Sequence, residues 1–275
     1  MSQRFYSSDP LIIGDEIELQ GSEHHHLAHV MRVSVDDDIT LFDGRGDEFG
    51  ATVRKLGKRT ATLEVTERRR VDCELPVRIH LAVALPKGDR QRWMVEKLVE
   101  LGVSSLTPII ATRGVANPNN GVLNRLRRTV IEASKQCGRN RLMEITVGQG
   151  AVDFFIEGVE HSMEWNAAAK TEADDSPHII PRLLAHPNAT PGVRDAIDQS
   201  RWEQISDIWV AVGPEGGWTD EETEAAREHR WQTVQLGKRI LRIETASVYL
   251  ASCLGELLPG DSPFTPPSAG DTPTV

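Results

Sequence analysis

Val210-Ala211-Val212-Gly213-Pro214-Glu215-Gly216-Gly217-Trp218 and, one short helix later, Leu236-Gly237-Lys238-Arg239-Ile240-Leu241-Arg242-Ile243-Glu244-Thr245-Ala246 decide the fold. Each is an apolar run that stops at glycine and leads into helical sequence, so a ligand-grade loop leaves each of two strand ends. In the first, adjacent glycines after Pro214-Glu215 permit positive φ and let a ligand approach main-chain amides, while Pro214 fixes one torsion and gives up its donor. Thr219 is placed to cap the next helix, with Glu222 capping back. Asp220, Glu221 and Glu222 crowd that helix start with negative charge. A phosphate-gripping loop needs the reverse, free amides at a helix N-terminus and often a lysine, as in GxxxxGK[ST]. Neither that pattern nor GxGxxG occurs. The acidic rim argues against a nucleoside triphosphate and suits a ligand that is neutral or cationic near the loop. S-adenosylmethionine, a sulfonium, fits that description.

The second stretch supplies the other wall. Gly237 breaks a strand predicted over Thr233–Leu236, and a helix is predicted from about Glu244, with Ala246, Leu250, Cys253 and Leu257 on one buried face. Lys238, Arg239 and Arg242 fall in the loop between, and three cations beside a pocket suit an anionic macromolecule.

Composition narrows the class. The chain has 275 residues, an ordinary hydrophobic share of 39% and a net charge of −10, enough for one large or two modest soluble domains. Cys73, Cys137 and Cys253 are odd in number and form no CxxC, so neither a disulfide framework nor a zinc site is expected. There is no signal-peptide pattern and no apolar run long enough for a membrane span, so a cytoplasmic protein with no membrane partner is expected. The charge is segregated. Seven Arg or Lys lie between Arg113 and Arg141 against the single acid Glu132, and Arg54, Lys55, Lys58, Arg59 and Arg68-Arg69-Arg70 enrich an earlier stretch. Clustered cations are what neutralising RNA phosphates requires.

Along the chain, short alternating runs over Ile39–Phe42, Ala51–Val53 and Thr60–Val65, each beside a tight turn, predict a small β domain over 1–72. Pro76 and the charged Arg68–Glu74 run mark a linker. A buried strand over Val77–Leu85, a helix capped by Asp89 and ending at Gly102, and a strand over Leu106–Ile110 make a βαβ unit. A further helix carries Leu123, Leu126, Val130, Ala133 and Cys137 on one stripe, with Arg125, Arg127, Arg128 and Lys135 elsewhere on its surface. The alternation continues to Leu258, which predicts an α/β domain over 76–258 with a parallel sheet covered by helices on both faces. The Pro-, Gly-, Ser- and Thr-rich tail over 259–275 is expected to be disordered.

Gly213-Pro214-Glu215-Gly216-Gly217-Trp218 followed by Leu236–Ala246 resembles the signature of the RsmE family of SPOUT (trefoil-knot) methyltransferases. The likeness extends to Arg4-Phe5-Tyr6, His26–Val33, Leu41-Phe42-Asp43-Gly44, Lys97–Val103 and Glu132–Arg139. Ile243 stands where the family usually has Thr, Cys137 where Ser is common, and the segment from about Glu160 to Ile197 is longer than usual. The resemblance implies a knotted SPOUT-type sheet preceded by a PUA-like β-barrel that holds RNA. It also implies S-adenosyl-L-methionine as cofactor, methylation of N3 of a uridine in 16S ribosomal RNA, the RNA or the 30S subunit as partner, and a homodimer, because the family's cofactor sites lie at a subunit interface.

Val212, Gly213, Glu215, Gly217, Leu236, Gly237, Ile240, Leu241 and Thr245 are expected to line the cofactor, the glycines, Leu236 and Leu241 mainly through their backbone. Arg4, His26, Arg32, Arg113, Arg139, Lys238 and Arg239 are the expected RNA contacts, with domain packing the alternative for His26 and Arg32. Arg242 is the candidate to orient a phosphate or the uracil carbonyl, and Glu215 or Glu244 the candidate base. N3 is hidden by Watson–Crick pairing, so the target base must be unpaired or flipped out. His24-His25-His26 and His29 invite a metal reading, but no Cys or acidic partner stands at ligand spacing, and no metal is expected. Two alternatives stay open: a SPOUT enzyme acting on a ribose 2′-hydroxyl or another base, and a non-catalytic RNA-binding assembly factor.

Overall fold

The computed structural model describes residues 4–116, 118–157, 180–197 and 203–258. Positions 160–179 of the long segment and the tail 259–275 lie outside the described residues. In the N-terminal part, β1 (Arg4–Tyr6), β2 (Glu16–Gln20), β3 (Asp38–Phe42), β4 (Asp47–Leu56) and β5 (Thr60–Arg70) form one sheet in the order β1-β3-β4-β5-β2. Register shifts in the β4–β5 ladder at Gly50/Ala51 and Val53/Lys55 bend it, since a bulge adds a residue to one strand and sharpens its twist. The sheet curls around Phe5, Leu27, Leu41, Val53 and Leu63. Helix α1 (Gly21–His25) and a π-helical turn over His26–Val30 follow β2.

Two strands run further than predicted. The arginine run expected to begin the linker continues β5, with Asp47 opposite Arg70 and Glu48 opposite Arg69. Arg68 Nε donates to Asp47 at 2.8 Å, and Arg69 pairs with Glu48 at 3.6 Å. Opposite charges across the ladder let a run of like charges stay in a strand, and they occupy guanidinium groups that the sequence reading had left for RNA.

The second sheet is parallel: β6 (Arg78–Val83), β7 (Ser105–Ile110), β8 (Glu144–Ile145), β10 (Arg182–Ala185), β11 (Asp207–Val212) and β12 (Gln232–Val234) in the order β12-β10-β11-β6-β7-β8, with β9 (Gln149–Gly150) against β7. β11 is buried along its whole length, as a central parallel strand with both faces covered must be. Ile208, Val210 and Val212 face one core with helices α2 (Arg90–Glu100), α3 (Asn120–Cys137) and α7 (Ile243–Leu257). Trp209 and Ala211 face the other, with Phe154 and Phe155 of α4 (Ala151–Glu157) and Ala226 of α6 (Asp220–Glu228). Each such apolar side chain contributes about 1.5–3 kcal/mol by leaving water. The short α5 (Val193–Ala196) precedes β11. α3 begins where Asn119 accepts from the Val122 amide and ends at Gly138, φ 82°, the left-handed stop that glycine supplies. Two residues of α3 sit otherwise than predicted: Cys137 is exposed, and Lys135 is buried against Glu23 at 2.9 Å. β12 ends two residues before Leu236 because the Gln235 amide turns to the Pro191 carbonyl at 3.0 Å. No helix among the described residues is long and apolar enough to cross a membrane.

Buried polar contacts join the two sheets. Arg4 bonds Glu48 and Asn140, and the Leu142 amide donates to Gly44 at 3.1 Å. Arg139, 3% exposed, donates to Glu74 at 2.8 and 2.6 Å and to the carbonyls of Val99 at 3.3 Å, Gly102 at 3.4 Å and Val103 at 2.8 Å. Arg4 and Arg139, both expected on RNA, therefore have their guanidinium groups inside this junction. Replacing Arg139 by Ala leaves Glu74 without its cation and is expected to cost about 3–5 kcal/mol of unfolding free energy. The measurement is a shift of the urea midpoint at unchanged slope.

Candidate active site

The glycine loops leave the C-terminal ends of β11 and β12, where ligands bind in open parallel sheets. The first is a braced turn. The Gly217 amide donates to the Pro214 carbonyl at 2.9 Å, and Gly217 sits at φ +70°. A Cβ on Gly213 would lie 2.7 Å from the Trp218 ring, whose Nε1 donates to the Ala185 carbonyl at 3.2 Å. Arg113 holds the carbonyls of Gly216 at 3.1 Å and Trp218 at 3.2 Å, so this expected RNA contact braces the turn. The predicted capping box is present, the Thr219 hydroxyl accepting from the Glu222 amide at 3.2 Å and Glu222 accepting from the Thr219 amide at 2.8 Å. The other oxygen of Glu222 accepts from the Thr112 amide at 2.8 Å, which ties the loop to the end of β7. Burial alone would push the Glu222 carboxyl up, but the amides of Thr112 and Thr219 outweigh it and hold the group below its ordinary value.

The second loop is zipped to the one after β10. The His186 amide donates to Val234 at 2.9 Å, and Gly192 bridges to Gln235. Gly237 takes φ +100°. Beyond it Lys238, Arg239 and Arg242 are exposed, and Ile240 is 89% exposed. Arg242 is the N-cap residue of α7, and Glu244 lies in that helix's first turn, its side chain 8% exposed. Gly192, Gln235, Gly237, Lys238, Tyr249 and Cys253 line an open cavity of about 790 Å³, within the size range of small-molecule sites.

One residue joins the two loops. Arg90, the first residue of α2, lies 3.7 Å from Glu215 of the first loop and 3.5 Å from Glu244 after the second. Both loops leave the same C-terminal edge of the sheet, and the two candidate bases, Glu215 and Glu244, meet at one cation. Glu244 Oε2 is buried with no hydrogen-bond partner. His26 lies elsewhere, its ring 5.5 Å from that of Phe5 in the N-terminal sheet, and Arg32 is exposed at φ 55°. Sequence reasoning missed Arg90 altogether. The only local signal was its place just after Asp89, which stands at the N-cap position but, contrary to the expected cap, makes no side-chain cap hydrogen bond.

A parallel sheet of this order, with braced glycine loops at its C-terminal edge and a curled sheet before it, defines a SPOUT-type methyltransferase with a PUA-like domain. The RNA methyltransferase domain family matches residues 73–255, and the RNA methyltransferase PUA domain matches 19–66. The chain belongs to the ribosomal RNA small subunit methyltransferase E family, RsmE. It is 31% identical to the Synechocystis sp. member over 94% of this chain and 78% of that one. It is 28% identical to the Bacillus subtilis member, over 88% and 92%. The crystal structure of the Neisseria gonorrhoeae member bound to S-adenosyl methionine superposes with a TM-score of 0.78 at 31% identity, over 94% of this chain and 98% of that one.

The packing of Gly213 is directly testable. Gly213→Ala is expected to displace the Trp218 ring and to lower the unfolding free energy by about 1–3 kcal/mol. In a Trp218→Phe background the same substitution should cost less, because the smaller ring yields the space. A double-mutant cycle on chemical denaturation reads this coupling.

Proposed function

We propose that the protein transfers the methyl group of S-adenosylmethionine to N3 of a uridine in 16S ribosomal RNA, on the small subunit. The observation that carries this reading is that Glu215 of the first glycine loop and the buried Glu244 beyond the second share one cation, Arg90, with one Glu244 oxygen left without a partner. The residues fit the cofactor. A side chain at Gly213 would meet the Trp218 ring, and the cavity beside Gly237 is of ligand size and carries one carboxylate, Glu256, in its wall. When bound, S-adenosylmethionine supplies an electrophilic methyl group on a positively charged sulfur.

Glu244 is the base. Its side chain is 8% exposed with one oxygen bare, whereas Glu215 is 43% exposed. Glu244 Oε2 takes the N3 proton while the N3 lone pair bonds the methyl carbon and the carbon–sulfur pair stays with sulfur. Arg242 stands exposed at the start of α7, where its guanidinium orients a phosphate or the uracil carbonyl and stabilises charge developing on that oxygen. Arg32, Lys238 and Arg239 are exposed cations for the RNA backbone. A homodimer is part of this reading, with the exposed Ile240, Trp93 and Tyr249 as its candidate contacts, since large exposed apolar side chains mark interfaces. The cytoplasm, where ribosomal subunits are assembled, is the place of action.

The test is methyl transfer to small subunits from a strain lacking the protein, followed by nucleoside analysis. The expected product is 3-methyluridine. A 2′-O-methyl nucleoside would overturn the N3 assignment, and failure to bind S-adenosylmethionine in calorimetry would leave an assembly factor. Arg242→Ala should lower turnover about 100-fold with cofactor affinity unchanged, and unchanged turnover removes Arg242 from the mechanism.

A further inference from the structure

We propose that Arg90 is a positioning residue for methyl transfer: it holds Glu244 by one carboxylate oxygen, leaves the other bare for the reacting base, and is itself held by Glu215 of the first glycine loop. The inference rests on the reading of Glu244 as the base.

Arg90 is well placed for this. It opens α2 directly after the turn that follows β6, and that turn is held by its neighbour, the buried Gln91, whose side-chain amide donates to the Pro86 carbonyl at 2.7 Å. The Gln91 backbone amide donates to Gly88 at 3.2 Å. The guanidinium thus projects from a fixed point. Its separations of 3.5 Å from Glu244 and 3.7 Å from Glu215 are long for hydrogen bonds, so the attraction is chiefly Coulombic. Among the described residues no other cation lies within ion-pair distance of either carboxylate.

Two features make this more than a surface ion pair. First, Arg90 engages only Oε1 of Glu244, while Oε2 is buried and unpartnered. Buried polar atoms are almost always satisfied within a fold, and a charged oxygen left open asks for a partner that the described residues do not supply. Second, the two carboxylates come from loops on different strands, and without a cation between them their like charges repel. Removing Arg90 therefore turns Glu244 away from the reacting base, while the first glycine turn keeps its braces from Arg113, Trp218 and Glu222. At these separations the charge matters more than the fork of the guanidinium, so an ammonium at the same place serves in part.

The experiment compares Arg90→Ala, Arg90→Lys, Glu244→Gln and the Arg90→Ala/Glu244→Gln double variant on small subunits. Readouts are kcat and KM, cofactor binding by calorimetry, and the thermal midpoint. Arg90→Ala is expected to lower kcat by about 30-fold or more while cofactor Kd and RNA KM stay within about 3-fold, an effect confined to the transition state. Arg90→Lys should recover most of that loss, and the double variant should be no slower than Glu244→Gln. An unchanged kcat in Arg90→Ala with an inactive Glu244→Gln overturns the role of Arg90 alone. So does a loss that appears only in cofactor affinity or melting temperature and is not rescued by lysine. Normal turnover by Glu244→Gln overturns the base assignment first and this inference with it.

Discussion

The parallel pairing of β6 with β11 is the constraint on which the site depends. The two strands run in register from Arg78 opposite Asp207 to Val83 opposite Val212, and the Ala84 amide extends the ladder to the Val212 carbonyl at 3.0 Å. Both strands therefore end at the same level. The chain leaving β6 turns into α2 and carries Arg90; the chain leaving β11 turns at once into the glycine loop and carries Glu215. A slip of one residue would flip the alternation of Val210 and Ala211 between the two cores and would carry Arg90 away from Glu215. At the other end of the same pair, Asp207 accepts from His80 at 2.7 Å and from Arg78 at 2.9 Å. Burial opposes ionisation of that carboxyl, but hydrogen bonds from His80, Ser206 and Arg78 hold it well below the usual carboxylate range.

What the sequence made legible follows from the range of the physics. Helix caps are local, so Thr219 with Glu222 three residues on could be read directly and is found. Strands buried on both faces read as unbroken apolar runs, so Asp207–Val212 and its glycine exit were visible, and the two turns identified the class of fold. Long-range electrostatics was not legible. Arg139 meets Glu74 from 65 residues away, and Arg90 meets Glu244 from 154 residues away. No spacing rule announces such pairs, and a charged residue read alone is assigned to the surface. The extension of β5 through Arg68–Arg70 was missed for the same reason, since its permission comes from Asp47 and Glu48 on the neighbouring strand.

This sorting of cations reconciles a net charge of −10 with a polyanionic substrate. Many guanidinium groups are spent within the fold, those of Arg4, Arg68, Arg69, Arg113 and Arg139 among them. Arg32, Lys238, Arg239 and Arg242 are exposed with no acidic partner among the described residues. The field that RNA meets is set by such free charges more than by the sum.

The Glu222 carboxylate has a consequence for how the protein recognises a small molecule. One of its oxygens closes the cap of its own helix and the other reaches the exit of β7, so a turn built largely of glycine is riveted at its far end to an element that cannot flex. Glycine segments left to themselves lose much conformational entropy on ordering. Here that loss is already absorbed in folding, so anything that meets this turn meets a backbone already ordered, and its contact energy is not spent on stiffening the receptor.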